Sequence, residues 1–110
     1  MVDKSFLNRM KKTAYLINTS RGSIVDCDAL VDALKNKKIA GAGLDVTDPE
    51  PLDKNHYLFN DLNVILTPHS AASSKEAMLR TGKTIADDLS LFFSKKKPTY
   101  IVKDLYFKLI

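Results

Sequence analysis

The sequence predicts an α/β protein in which helices cover a parallel sheet. Three short apolar segments, at residues 14–18, 39–46 and 63–67, have the length and composition of buried strands. Helical patterns alternate with these segments, and such alternation is typical of a parallel sheet with covered faces. The chain has 110 residues, 45% of them hydrophobic and 27% charged. This size and composition fit one small globular domain or part of a larger one.

The first half of the chain predicts a helix, a strand and a second helix. Asp3 can cap a short helix that continues to residue 12, because apolar residues recur there at helical spacing. Gly22 marks the loop that follows the first strand. Asp26 can cap the second helix, which has one apolar face. Lysines lie at the end of that helix, where its dipole favours cations.

The second half predicts two more strands and a long loop between them. Gly41 and Gly43 interrupt the second strand pattern, and glycines in a strand indicate the close approach of another backbone or a ligand. The loop over residues 47–62 contains Pro49 and Pro51. It is longer than most connections between elements, and long loops of this kind are often functional.

A third helix and a basic tail complete the predicted order of elements. Ser73 and Glu76 have the spacing of a capping box, and apolar residues keep helical spacing to about residue 94. Pro98 then ends any continuation of the helix. We therefore predict one domain over residues 1–94 and a lysine-rich tail over residues 95–110.

Composition disfavours several classes of protein. The formal net charge is +4, and most basic residues alternate with acidic ones, so we predict neither nucleic-acid nor membrane binding. No run of about 20 apolar residues is present, and the first residues have no signal-peptide pattern. Cys27 is the only cysteine, which suits a reducing compartment, and we expect a cytoplasmic protein without a metal site.

Charged side chains follow all three predicted strands. Arg21 comes after the first strand, Asp45 lies at the end of the second with Glu50 in the loop beyond, and His69 follows the third. The carboxyl ends of parallel strands meet at one edge, where ligands of such sheets gather. We therefore expect these four residues to share one edge.

These residue types suit chemistry on a small keto or hydroxy acid. Arginine binds a carboxylate through its planar fork. A histidine beside a carboxylate stays protonated more readily and can donate a proton to a carbonyl. Taken singly, Arg21 could be a surface ion-pair residue, Glu50 a solvated side chain and His69 a cap of the next helix. Their joint placement at the strand ends favours the functional interpretation.

Three blocks of the chain resemble the D-isomer-specific 2-hydroxyacid dehydrogenases. The blocks N-T-x-R-G, G-x-x-L-D-V-x-x-x-E-P and T-P-H occur in that family's order and spacing, over roughly residues 2 to 95. GLDVTDPEPL is most similar to the glyoxylate/hydroxypyruvate reductases. The resemblance implies a Rossmann-type NAD(P)-binding domain, of which this chain would be the C-terminal half and incomplete on its own. It also implies reduction of small 2-oxo acids with NAD or NADP, and a homodimer at full length.

The resemblance also implies roles for individual residues. Arg21 would bind the substrate carboxylate, His69 would be the general acid and base, and Glu50 would pair with His69. Asp45 would lie near the nicotinamide amide. The remaining positions that match cofactor contacts of the family are Thr19, Ser20, Ala71 and Ala72, with Arg21 and His69 among them as well.

The chain also departs from the family pattern. The glycine-rich G-x-G-x-x-G loop that holds the pyrophosphate is absent from these 110 residues. We therefore predict that the chain is a fragment or a short product, and that alone it has no measurable dehydrogenase activity. One alternative is a non-catalytic, NAD(H)-binding interaction protein similar to a corepressor family of the same architecture. The tryptophan that follows the histidine in that family is missing here. A basic nucleic-acid or membrane module is the second alternative.

Overall fold

Three parallel strands form the sheet that the sequence predicts. In the computed structural model they are β1 (Tyr15–Asn18), β2 (Gly41–Leu44) and β3 (Val64–Leu66), in the order β1-β2-β3. Both pairs are parallel, and Asn18, Leu44 and Leu66 lie side by side at one edge. The strands are shorter than the predicted ranges, although flanking residues continue single hydrogen bonds between neighbours, such as that from the Thr67 amide to the Leu44 carbonyl at 3.0 Å. The carboxyl ends of all three strands nevertheless share one edge.

Three α-helices accompany the sheet. They are α1 (Lys4–Asn8), α2 (Cys27–Lys35) and α3 (Lys75–Phe93). The predicted caps of α1 and α2 are confirmed, since the Asp3 carboxylate accepts from the Phe6 amide at 2.8 Å and that of Asp26 from the Ala29 amide at 2.9 Å. Helix α1 ends at Asn8 and not at residue 12. The Arg9 amide bonds to the Phe6 carbonyl, three residues back, and so no longer follows the α-helical pattern.

The predicted cap of α3 is wrong by one residue. Ser74, and not Ser73, is the N-cap, and its hydroxyl accepts from the Ala77 amide at 3.1 Å. Adjacent serines both fit the sequence pattern of a cap, and only the backbone turn decides which hydroxyl faces the free amides. Glu76 lies in the first turn, where a negative charge suits the helix dipole. The predicted end near residue 94 is confirmed.

The core lies on one face of the sheet. Leu30 and Ala33 of α2 are buried there with Ala42 and Leu44 of β2, and Leu7 of α1 joins the same cluster. Side chains alternate across a strand, so the next residues point to the opposite face, where Tyr15, Ile17 and Ile65 are largely exposed. Within the described part of the chain, one face of the sheet is packed and the other is open.

The structure describes residues 1–60 and 63–101. The end of the predicted loop, residues 61 and 62, and most of the predicted tail, residues 102–110, lie outside this part. The chain divides into one compact unit over Met1–Ala71 and a second that begins at Ala72 and contains α3. The predicted limit of the domain at residue 94 stays a prediction.

The neighbouring strands approach the glycines of β2 closely. A methyl group on Gly41 would lie 2.2 Å from the carbonyl oxygen of Asn63. On Gly43 it would meet the side chain of Ile17 at 3.0 Å. The neighbouring strand therefore leaves no room for a larger residue at Gly41, as the sequence predicted.

Candidate active site

A histidine and a glutamate meet at the carboxyl edge of the sheet. The Nδ1 atom of His69 lies 2.7 Å from Oε1 of Glu50. A carboxylate only accepts hydrogen bonds, so Nδ1 carries the shared proton and Nε2 is left to face other groups. His69 follows β3 and Glu50 lies in the loop after β2, so the parallel register of the two strands brings them together.

Glu50 is held from two sides. The Thr47 amide lies 3.4 Å from its second oxygen, Oε2, at the limit of a hydrogen bond. The bond with His69 holds the pKa of Glu50 below its usual value, and the Thr47 amide adds to the effect. Glu50 is therefore ionised at neutral pH. Its side chain and that of His69 are about half exposed, at 41% and 50%, so a small molecule can reach them.

Asp45 is the acidic group behind His69. Its Oδ1 accepts from the Thr67 hydroxyl and, at 2.8 Å, from the Ser70 amide, while Oδ2 accepts from the Ala71 amide at 2.9 Å. These donors hold the pKa of Asp45 below its usual value, and the Thr67 hydroxyl has the largest effect. The residue is only 5% exposed, so it is a buried carboxylate whose charge is compensated mainly by hydrogen bonds.

Arg21 lies in the loop after β1. Its side chain is exposed, and Nη1 donates to the carbonyl oxygen of Ser20 at 2.7 Å. Its guanidinium has no hydrogen bond to Glu50 or His69 in the described part of the chain. The next residue, Gly22, lies against the loop that carries Glu50, because a methyl group there would be 1.9 Å from the Thr47 carbonyl oxygen. The structure thus brings the two loops into contact and leaves the Arg21 side chain free to turn toward a ligand.

A cavity of about 270 Å³ lies beside the His69–Glu50 pair. Its apolar wall consists of Pro51, Leu52, Phe59, Leu66 and Pro68. Asp45, Thr47 and Thr67 complete the lining. A volume of this size holds a small organic acid or part of a larger ligand, and mostly apolar walls with a few polar groups are usual for ligand sites.

The remaining predicted cofactor residues lie near the same edge. Thr19 and Ser20 are exposed residues of the loop after β1. Ala71 is exposed and ends the first unit, and Ala72 begins the second. Thr19, Ser20 and Ala71 therefore lie on loops at the carboxyl ends of β1 and β3, next to Arg21 and His69.

Two residues of the site were not predicted. Asn18 ends β1 and is 5% exposed, with its side chain bonded to Ser20 and to the Arg21 carbonyl. Thr67 ends the third strand region and donates to Asp45. The available signal was that both belong to the blocks N-T-x-R-G and T-P-H. Neither residue type indicates a site when it stands alone.

Cys27 and His56 form a separate contact away from this pair. The Cys27 Sγ and His56 Nε2 atoms are 3.9 Å apart, and His56 Nδ1 accepts from the Leu58 amide at 3.3 Å. Burial and then the nearby carboxylates raise the pKa of the Cys27 thiol. The thiol therefore stays protonated, and the partly buried side chain packs against the core.

Two further features concern the described residues only. No helix there has both the length and the apolar composition to cross a membrane. No group of three or more histidine, cysteine or acidic side chains in that part is arranged to hold a metal ion.

Comparison with known proteins gives one family. The family described as D-isomer specific 2-hydroxyacid dehydrogenase, NAD binding domain, matches residues 1–71. A glyoxylate reductase from Aeropyrum pernix is 46% identical over 102 residues, which cover 93% of this chain and 30% of that protein. A glyoxylate reductase from Thermofilum pendens matches to the same extent. The chain therefore spans about 30% of the length of these curated relatives.

Solved structures give the same family. An NADPH-dependent glyoxylate/hydroxypyruvate reductase from Sinorhizobium meliloti superposes with a TM-score of 0.80 at 36% identity, covering 96% of this chain and 34% of that one. An NAD-complexed D-isomer specific 2-hydroxyacid dehydrogenase from Lactobacillus delbrueckii superposes with a TM-score of 0.77 at 34% identity. The match covers 93% of this chain and 35% of that one.

Proposed function

Because this chain belongs to the D-isomer specific 2-hydroxyacid dehydrogenases, we propose that it carries the acid/base and carboxylate-binding residues of an NAD(P)-dependent reductase of small 2-oxo acids. Glyoxylate and hydroxypyruvate are the proposed substrates, since relatives with these names are among the matches. The observation that supports the proposal best is the 2.7 Å contact between His69 and Glu50 at the sheet edge.

The proposed roles follow from the hydrogen-bonding capacity of each group. Glu50 occupies Nδ1 of His69, so Nε2 of the imidazolium donates its proton to the carbonyl oxygen of the substrate. Arg21 binds the carboxylate of the substrate through its guanidinium fork. The carbonyl carbon takes up a hydride, which a bound nicotinamide cofactor supplies. The product is a 2-hydroxy acid, and His69 regains its proton from solvent.

The residues present fit the nicotinamide end of such a cofactor. Asp45 uses three of the roughly four acceptor positions of a carboxylate, which leaves one for a carboxamide N–H. Thr19, Ser20 and Ala71 are small and exposed, and we propose that they border the cofactor together with Ala72. The G-x-G-x-x-G loop for the pyrophosphate is absent from these 110 residues, so we expect no measurable activity from them alone.

We further propose that the full assembly is a cytoplasmic homodimer. Helix α3 supports self-association, because six of its large apolar residues are at least half exposed. These are Met78, Leu79, Ile85, Leu89, Phe92 and Phe93. Sedimentation velocity over a range of concentrations measures this directly, and a single monomeric species throughout would contradict it.

A chimera tests the proposed function. The chain replaces the matching segment of the Aeropyrum pernix glyoxylate reductase, and reduction of glyoxylate and hydroxypyruvate is followed through NADH or NADPH absorbance. We expect turnover by the chimera. In the Arg21→Ala chimera we expect the KM for the oxo acid to rise at least tenfold, because loss of a charge-assisted bidentate contact weakens carboxylate binding.

Arg80→Ala in α3 is the matched control, and its KM should stay within twofold of the parent chimera. A folded chimera that binds the cofactor but reduces neither acid would contradict the proposed enzyme. That result would favour the alternative of a non-catalytic, NAD(H)-binding interaction protein.

A further inference from the structure

Two polar side chains are buried in the described part of the chain, and both lie at the site edge. Asn18 ends β1 and Asp45 follows β2, and each is 5% exposed. Burying a polar group is costly unless its hydrogen bonds are made. No buried side-chain nitrogen or oxygen of the described residues lacks a partner. The hydrogen bonds that Asn18 and Asp45 make therefore offset the cost of burying them.

In the described residues, the side chain of Asn18 bonds only to the loop that carries Arg21. Its Oδ1 accepts from the Ser20 amide at 3.1 Å and from the Ser20 hydroxyl at 2.8 Å. Its Nδ2 donates to the Arg21 carbonyl at 2.9 Å. One side chain thus uses both its acceptor and its donor to fix a three-residue turn. The base of the Arg21 side chain is held although the guanidinium is exposed.

Asp45 has the corresponding relation to the loop that carries His69. Its carboxylate accepts from residues on both sides of the histidine, namely Thr67 before it and Ser70 and Ala71 after it. Its backbone carbonyl accepts from the His69 amide itself at 2.9 Å. Four hydrogen bonds from one residue therefore surround the turn at His69.

The backbone at His69 needs such support. Its φ is 52°, in the left-handed region that residues other than glycine seldom adopt. Strain of this kind persists only where the surrounding structure over-determines the conformation. The bonds to Asp45 supply that surrounding structure, and the conformation they hold is the one in which the imidazole meets Glu50.

The two side chains are also linked to each other. The Asp45 amide donates to the Asn18 carbonyl at 2.9 Å, which continues the β1–β2 ladder by one bond. A continuous set of hydrogen bonds thus runs from the Arg21 carbonyl through Asn18 and Asp45 to the Ala71 amide. It joins the two loops through the ends of adjacent strands.

We propose that Asn18 and Asp45 are a pair of positioning residues, in which Asn18 holds the loop of Arg21 and Asp45 holds the turn of His69. The functional meaning of this pair rests on the proposed roles of Arg21 and His69. Each holds its own loop, and the strand register sets the spacing between the carboxylate-binding and proton-donating groups. Asp45 then acts on the reaction through His69, in addition to any contact with a cofactor.

Two isosteric variants of the full 110-residue chain test the pair by NMR. Asp45→Asn replaces one acceptor oxygen with an NH₂ group, so one of the Ser70 and Ala71 amides faces a donor. We expect at least a tenfold loss of exchange protection at one or both of these amides. We also expect a change in the ¹⁵N shifts of the His69 ring, which report the bond from Nδ1 to Glu50. The Ser20 and Arg21 signals should stay in place.

Asn18→Asp should give the opposite pattern. It removes the donor to the Arg21 carbonyl and places a carboxylate oxygen against it, so the Ser20 and Arg21 signals shift while the His69 ring signals do not. A folded Asp45→Asn chain with unchanged Ser70, Ala71 and His69 signals would overturn the proposal. Variants that each disturb both loops equally would also overturn it, since the pair would then have no division of labour.

Thr67→Val keeps the proposal testable should Asp45→Asn fail to fold. Valine has the shape of threonine without its hydroxyl, so only the donor to Asp45 Oδ1 is lost. We expect smaller shifts at the same Ser70, Ala71 and His69 atoms, whereas Thr84→Val in α3 should move none of them. No difference between these two variants would overturn the role of Asp45. These spectra need no cofactor or substrate, so they remain decisive even where the chimera proves inactive.

Discussion

Asp45 in the first unit and Asp88 in the second make nearly the same contacts. Asp45 accepts from the Ser70 and Ala71 amides at 2.8 and 2.9 Å, and Asp88 accepts from the Thr99 and Tyr100 amides at 2.7 and 2.9 Å. In both cases the hydrogen bonds hold the pKa of the carboxyl below its usual value.

The surroundings of the two carboxylates differ. Asp45 is buried and holds a strained turn that carries a proposed catalytic histidine. Asp88 is partly exposed and holds the chain that follows α3. Water can replace a lost partner at an exposed group but not at a buried one. The hydrogen bonds of Asp45 should therefore affect the reaction, whereas those of Asp88 should have little effect on it.

Of the comparisons between the two units, that of Asp45 with Asp88 should give the largest difference, and it should appear in the turnover of the chimera. Asp45→Asn should lower kcat for glyoxylate by about 10²-fold, because a displacement of about 1 Å at a reacting group has an effect of that order. Asp88→Asn should leave kcat within twofold. Steady-state rates at saturating oxo acid measure both. Equal losses in the two variants would remove the distinction between the two carboxylates.

Gly22 in the first unit and Gly82 in the second should respond differently to substitution by alanine, and the difference should appear in the free energy of unfolding. Gly22→Ala would place a methyl group against the Thr47 carbonyl, and overpacking of this kind destabilises by about 1–3 kcal/mol. Gly82 has open space around it within α3, so Gly82→Ala should stabilise by up to about 1 kcal/mol through helix propensity. Urea unfolding followed by circular dichroism gives both values. A neutral Gly22→Ala would show that the Arg21 and Glu50 loops do not depend on their close contact.

Two glutamate variants, one in each unit, give the smallest expected effect. The usual pKa of a glutamate is about 4.3. The bond with His69 lowers the pKa of Glu50, so its carboxylate stays charged at a somewhat lower pH than that of a free glutamate. This carboxylate accepts most strongly from the His69 ring while it is charged. Reduction by the parent chimera should therefore fall once the pH drops below the pKa of Glu50, and Glu50→Gln should lack this acid limb because glutamine does not titrate.

Glu76→Gln in the first turn of α3 removes the same charge elsewhere and serves as the control. Its pH profile should coincide with that of the parent chimera. A Glu50→Gln profile that also coincides would remove Glu50 from its proposed role beside His69.

The sheet and its site edge could be predicted because the signals for them are local. Apolar runs predicted all three strands, and charged residues just beyond the runs had to lie at one edge of a parallel sheet. The contact between Glu50 and His69 agrees with this prediction, although the catalytic roles remain proposals. The Gly41 contact with the Asn63 carbonyl was likewise predictable, because glycine weakens a strand and is found there mainly where another group approaches closely.

The hydrogen bonds behind the site could not be predicted in the same way. Asp45 bonds to groups 22 to 26 residues further along the chain, and two of the three are backbone amides. Every residue except proline has such an amide, so residue type does not indicate which one is bonded. Strand register and the left-handed turn at His69 decide the partners. The choice between Ser73 and Ser74 as cap of α3 was open for the same reason.

The most direct test of the proposed function is single-turnover reduction of glyoxylate by a His69→Asn chimera. Asparagine tolerates the left-handed backbone, so this variant removes the imidazole and keeps the turn. His56→Asn is the matched control, because asparagine can also cap the short turn at residues 57–59. We predict that His69→Asn lowers the rate by about 10²- to 10⁴-fold and that His56→Asn leaves it nearly unchanged. Equal rates in the two variants would contradict the assignment of His69 as the proton donor.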